Sequence, residues 1–237
     1  MDAARSLIRK TLHRVGLQKI HHPSFVDFIR HEEIRTVFDV GANVGHYGVE
    51  LREGGFDGRI VSFEPIAAPF AKLATRASRD RNWDCYCLGL GSLAETRTIS
   101  VTAADVFSSF KPPSEYTAKK FVGAREVSQE EVAVARLDQF IADHPESLAD
   151  GKRAYLKIDT QGFESEVLEG AGSRLDRFFA IQLELPLRQL YQGQDSMRAM
   201  IDRLDQLGFE IAMAKENGFD WQAVRLLELD VVFVRKQ

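Results

Sequence analysis

The chemistry open to this chain rests on acids that follow apolar runs. Asp39 stands in Thr36-Val37-Phe38-Asp39-Val40, directly before Gly41-Ala42-Asn43-Val44-Gly45, and Glu64-Pro65 follows Ile60-Val61-Ser62-Phe63. Glu64 lies nineteen positions after Gly45. An acid about that far beyond a glycine turn, at the tip of a second strand, is where dinucleotide-binding folds hold an adenosine ribose. A carboxylate there accepts two hydrogen bonds from the ribose diol; its structural use would be to cap the following helix. The glycine spacing selects among adenosine ligands. A dinucleotide fingerprint needs G-x-G-x-x-G, and here Asn43 and His46 occupy the second and third glycine places. The D-x-G-x-x-x-G pattern that remains suits S-adenosylmethionine, which has no pyrophosphate. Gly41 and Gly45, with Ala42 and Asn43 between them, let the backbone approach that ligand. The helix N-terminus after Gly45 offers free N–H groups to its carboxylate, Asp39 can bind its ammonium directly or through water, and Leu88-Gly89, at a third strand end, is placed to flank its adenine.

Asp159 ends the apolar run Ala154 to Ile158 and is the leading catalytic candidate. Attack on a sulfonium methyl mostly needs alignment, and a hydroxyl acceptor also benefits from a base or a metal. With an ordinary value near about 3.9, an aspartate gains basicity only through burial. Glu164 and Glu184 are further acids near strand ends. Asp159 with Glu184 could ligate a divalent cation through oxygen, although Glu184 more simply bonds backbone or a substrate hydroxyl, so a metal is not favoured. His46 could serve as a base or as a cap. Ser109 could shape the acceptor site and Tyr191 could stack on a sugar face, although core or lid packing is the simpler use of the aromatic.

These residues need a scaffold, and the chain supplies an alternation of strands and helices. Strands are expected over 36–40, 59–63, 84–90, 96–102, 131–137, 154–158 and 180–185. Helices follow the first, second, fourth central and fifth central strands, one of them marked by Met197, Met200, Ile201, Leu204 and Leu207. Residues 108–122, with Pro112-Pro113, read as a long loop. Residues 210–215 and 229–235 read as a closing hairpin with a wide connection around Asn217-Gly218. The expected fold class is α/β: a doubly wound, mostly parallel seven-stranded sheet with an antiparallel C-terminal strand, of Rossmann-like type. It occupies 35–237, after an N-terminal helical extension over 1–34.

The chain has 237 residues, a net charge of -4, 44% hydrophobic and 28% charged residues. That balance gives no global attraction to nucleic acid. No apolar run is long enough to span a membrane, and no signal-peptide core is seen at the N-terminus. Arg5, Arg9, Lys10, Arg14 and Lys19 make residues 3–22 a basic amphipathic stretch. It reads as a helix packed on the domain, or as one lying on an anionic membrane surface. Cys85 and Cys87 lie two apart on one strand and suit a disulfide poorly, which fits a reducing cytoplasm.

The chain resembles the FkbM family of S-adenosylmethionine-dependent methyltransferases. The resemblance rests on DVGANVGHYG at 39–48, FEP at 63–65, ARLDQF at 135–140, LKIDTQGFESEVLEGA at 156–171 and IQLELPLRQLYQG at 181–193. It implies O-methylation, often of sugar hydroxyls in glycans, lipid-linked saccharides or natural products, and a saccharide or other small-molecule acceptor. Carried over by motif, Asp39, Gly41, Asn43, Gly45 and Glu64 would hold the cofactor, while Asp159, Gln161, Glu164 and Glu184 would line the reaction site. The family more often has Glu where this chain has Gln161. N-methylation of nucleic acid or protein, and a non-catalytic cofactor-binding module, are the competing readings. The turn Asp159-Thr160-Gln161-Gly162 lacks the Asn/Asp-Pro-Pro-aromatic sequence common in N-methyltransferases. The sequence leaves the oligomeric state open.

Overall fold

The computed structural model describes residues 23–148 and 153–236. The basic stretch at 3–22 lies outside the described residues. The first described helix, α1 (Phe25–His31), begins at a capping box: Ser24 Oγ accepts the Asp27 amide, and the Asp27 carboxylate accepts the Ser24 amide. Its Phe25, Val26 and Ile29 are buried in one cluster with Val37 and Tyr155 of the sheet. This part of the expected extension therefore contributes to the domain core.

β1 (Thr36–Val40), β2 (Arg59–Phe63) and β7 (Ala154–Ile158) are buried on both faces, which explains their almost unbroken apolar runs. Between β1 and β2 runs α2 (His46–Glu53), and α3 (Ala67–Ala77) leads to β3 (Trp83–Tyr86). The seven-stranded sheet is completed by β8 (Phe178–Pro186), β9 (Phe209–Asp220) and β10 (Arg225–Arg235), in the order β3-β2-β1-β7-β8-β10-β9. β1 pairs parallel with β2 on one side and with β7 on the other. The chain thus reverses its winding beside β1, and a crevice opens at the C-terminal ends of β1 and β7. β10 runs antiparallel between β8 and β9, as expected for the C-terminal strand, and leaves β9 at the edge. α6 (Glu164–Ala171) and α7 (Met197–Gln206) supply further cover; α6 gives way at Gly172 to a 3-10 turn.

A second sheet stands over the crevice. β5 (Glu95–Thr102) and the short β4 (Gly89–Leu90) flank β6 (Glu126–Ala135) in the order β4-β6-β5. Several boundaries differ from the sequence expectation. The strand expected over 84–90 is two strands in two sheets, because β4 leaves β3 to pair with β6. The strand expected to reach Leu137 ends at Ala135; Leu137, Phe140 and Ile141 follow helical spacing and bury one face of α5 (Leu137–Asp143). The stretch 108–122 contains α4 (Glu115–Lys120), started by Ser114 Oγ accepting the Thr117 amide. Asn217 and Gly218 are not a connection but lie within β9, and the turn falls at 221–224.

The segment around α4 is tied to that turn. Tyr116 donates to Asp220 Oδ2 at 2.5 Å, and Lys120 Nζ reaches Asp220 Oδ1 at 2.8 Å. These contacts hold the Asp220 carboxyl well below the usual carboxylate range, Lys120 more than Tyr116. Cys85 and Cys87 are free. No helix among the described residues is long and apolar enough to cross a membrane.

Candidate active site

One cavity, of about 690 Å³ including its open mouth, occupies the crevice. Gly41, Asn43, Glu64, Pro65, Leu88, Gly89, Asp159 and Gln161 all line it, so the residues expected to hold donor and acceptor share one space. Its roof comes from β5 of the second sheet and the loop that leaves it: Ile99, Asp105, Val106, Ser108 and Phe110.

The floor depends on close backbone approach. Gly41 has φ +77°, and a Cβ there would lie 1.9 Å from the Asp159 carbonyl oxygen. Only glycine lets β1 and β7 release their chains side by side at this point. Glu64 then pins the turn. Its Oε2 accepts from the Asn43 amide at 2.8 Å and its Oε1 from the Ile66 amide at 2.9 Å. Burial pushes its carboxyl up to about 7, against the pull of those two backbone hydrogen bonds. Each oxygen keeps a second lone pair, which suits a diol entering from the cavity. Apolar Ile66, Leu88, Ile99 and Phe110 stand beside it, where a purine ring finds packing. The site therefore fits the adenosine end of S-adenosylmethionine.

Of the two modes expected for Asp39, its position excludes the direct one. It is fully buried, does not line the cavity, and faces Lys157 across the β1–β7 pair at 3.1 Å. It is thus an ion-pair partner inside the sheet, not the direct seat of a ligand ammonium. Burial raises its carboxyl above the usual range, with Lys157 opposing. Lys157 also reaches Asp159 Oδ2 at 3.3 Å. Burial works against its charge, but Asp39 and Asp159 outweigh that and hold it above the usual lysine range. Sequence reasoning passed over Lys157; a lone lysine within Ala154–Ile158, at the position facing Asp39, was the available signal.

The end of the cavity around Asp159 is a web of side chains. Gln161, at φ +56°, sends Nε2 to Asp159 Oδ1 and to Glu184 Oε2, both at 2.9 Å. Its Oε1 accepts from Tyr191 at 2.6 Å, and its carbonyl accepts from Ser109 Oγ at 2.7 Å. Asn217 Nδ2 donates to Glu184 Oε1 at 2.5 Å. Asp159 is 33% exposed at the cavity wall, so the burial expected of it is incomplete. Glu184 is buried behind Gln161, where desolvation and the charges of Asp159, Glu228 and Asp230 push its carboxyl well up. Burial, then Asp159 and further acids, brings Glu228 to about 8; burial, then Asp159 against the pull of Lys157 and Lys215, brings Asp230 to about 6. Asn217, Glu228 and Asp230 were not anticipated from the sequence.

Other expected site residues play supporting parts. Glu164 is buried, and its Oε1 accepts from Thr160 N, Thr160 Oγ1 and Gly162 N, fixing the turn after β7. Ser109 and Tyr191 are buried and brace Gln161 without lining the cavity. Ala42 is buried beneath the turn, and Gly45, at φ +85°, begins α2 against Leu73 and Trp83. His46 is exposed, points its Nδ1 to within 3.3 Å of Arg76 and does not line the cavity; the structure does not bring it to Asp159. Asp159 and Glu184 are bridged by an amide, and among the described residues no three His, Cys, Asp or Glu side chains converge as a metal site.

Comparison with known proteins gives a family match: the methyltransferase FkbM domain fits residues 39–211. No curated protein matches the chain. Among solved structures, an rRNA methylase from Streptococcus thermophilus is similar at 13% identity and TM-score 0.49, covering 93% of this chain and 100% of that one. Magnesium protoporphyrin IX methyltransferase from Synechocystis, solved with bound S-adenosylmethionine, is similar at 10% identity and TM-score 0.48, covering 90% and 75%. Likenesses this distant carry nothing about the acceptor.

Proposed function

This chain belongs to the FkbM family of methyltransferases, and from that premise we propose that it methylates a hydroxyl oxygen of a saccharide, in a glycan, a glycolipid or a natural product. S-adenosylmethionine is the methyl donor and supplies, when bound, an electrophilic methyl on a sulfonium. The observation that carries the reading is that Asp159 opens on the same cavity as Glu64. A hydroxyl held against Asp159 faces the donor, and alignment is most of what this displacement requires. The transfer would exchange the methyl–sulfur bond for a C–O bond, leaving S-adenosylhomocysteine, and the hydroxyl proton passes to the Asp159 carboxylate. Lys157 holds that carboxylate from behind and Gln161 from the side. Thr160 and Gln161 offer further polar groups to a sugar.

The net charge of -4 supports a neutral or cationic acceptor over a nucleic acid. We place the enzyme in the cytoplasm. The basic residues from Arg5 to Lys19 support contact with the inner face of an anionic membrane, where lipid-linked saccharides are met. The test is a screen with isotope-labelled methyl donor against cell-envelope glycans and nucleotide sugars, read by mass. The label is expected on a sugar oxygen. Label found only on nitrogen of RNA or protein would sink the proposal.

A further inference from the structure

The acidic group beside Asp159 exceeds what methyl transfer to a hydroxyl requires. Glu184 and Asp230 face each other in the antiparallel register of β8 and β10, and Glu228 lies two residues before Asp230, on the same face. The Glu228 and Glu184 carboxyls are in contact, within reach of the charges of Asp159, Glu164 and Asp230. Glu228 is only 7% exposed, and its Oε1 has no hydrogen-bond partner. The neighbouring cations are committed elsewhere. Lys157 is shared by Asp39 and Asp159, and Lys215 stands opposite Asp230 across β9 and β10. Glu184 receives amide hydrogens from Gln161 and Asn217, neither of which carries charge.

A buried carboxylate oxygen without a donor, as at Glu228 Oε1, is costly, and two buried carboxyls in contact cannot both ionise without a cation. The partner that completes them brings positive charge and several donors in a small volume. An ammonium has three N–H donors and fits that description. Asp159, Asn217 and Asp230 are partly exposed, which leaves a way in from solvent.

We propose that Glu184 and Glu228 seat an ammonium group carried by the methyl acceptor, so that the acceptor is an amino-bearing saccharide or polyol methylated at a nearby hydroxyl. The inference rests on the reading of Asp159 as the place of methyl transfer. Gln161 Nε2 lies 2.9 Å from both Asp159 Oδ1 and Glu184 Oε2, so the cation seat and the reacting hydroxyl adjoin through one amide. In the free enzyme the two carboxyls share a proton, and the incoming ammonium displaces it.

The test uses the full chain saturated with S-adenosylhomocysteine and titrated with glucosamine, N-acetylglucosamine and glucose by calorimetry at neutral pH, in two buffers of different ionisation enthalpy. Glucosamine is expected to bind about tenfold or more tightly than the other two, a difference that one well-placed charged contact supplies, and to release a proton. The preference is expected to vanish in Glu228→Gln, which keeps the side-chain shape; its thermal melt and its affinity for S-adenosylhomocysteine check that it is folded. Three sugars binding alike, no sugar binding, or a preference that survives in Glu228→Gln each overturn the inference. Labelled methyl transfer to the oxygen of amine-free sugars, with no gain from an amine, would remove this inference and leave the proposed function standing. Label on nitrogen alone would remove the proposed function itself.

Discussion

The two ends of the cleft are built by different means. At the donor end the hydrogen bonds run to backbone amides, within one short stretch: Glu64 holds the Asn43 and Ile66 amides, and Gly41 lets the floor close. At the acceptor end the bonds run between side chains from distant stretches: Gln161 with Tyr191 and Glu184, Glu184 with Asn217 and Glu228. On the proposed reading, a ligand common to many enzymes would be met by main chain, which every sequence has, and a particular acceptor by side chains, which can be exchanged one at a time.

The sharpest test of that division is Asp159→Asn. It should lower turnover about 10²- to 10⁴-fold, the usual worth of a positioned base, while affinity for S-adenosylmethionine changes less than about threefold. Single-turnover labelled transfer and calorimetry separate the two. A loss that fell mainly on donor affinity would merge the two ends. Next, Gly41→Ala should cost about 2–5 kcal/mol in urea unfolding, since it adds backbone strain to a clash. Gly193→Ala, also at positive φ but with no atom within 4 Å of the added Cβ, should cost about 1 kcal/mol. Equal losses would show that close approach at Gly41 is unimportant.

Glu64→Gln should weaken donor binding about tenfold, because one backbone amide and the ribose lose an anionic acceptor. With its carboxyl at about 7 rather than 4.5, Glu64 is protonated in the folded chain below about 7. Donor affinity in the wild type should therefore fall between pH 8 and 6, and that fall should be absent in Glu64→Gln. The effect on stability has the opposite direction. An acid whose folded value is raised stabilises fully below its unfolded value near 4.5, and that contribution is lost as pH rises through about 7. The smallest effect belongs to Glu228→Gln. With Glu228 at about 8, the wild type loses stability as pH rises from about 4.5 through 8. The variant should be more stable at pH 8.5 by on the order of 1 kcal/mol, and unchanged at pH 4, by thermal melts.

The same contrast governs what the sequence could reveal. β1, β2 and β7 begin and end where their apolar runs do, because burial on both faces leaves little choice of residue. The glycine turn and Glu64 were legible for the same reason: their geometry is local. The ion pair of Asp39 was not legible, because its partner, Lys157, becomes visible only through the register of β1 with β7. The break between β3 and β4 depends on pairing with β6, forty-five positions along in the Gly89–Val134 pair. Glu228 falls one residue before the alternation over 229–235, and nothing near it in the chain announces Glu184.

The latch of Tyr116 and Lys120 on Asp220 bears on how such an enzyme could change its acceptor. The segment that carries the latch also follows the donor roof, and the hairpin it grips carries Asn217 and Glu228. The two segments are thus tied into one mechanical unit. A chimera that imports residues 105–124 from a relative without the matching hairpin would carry half a lock.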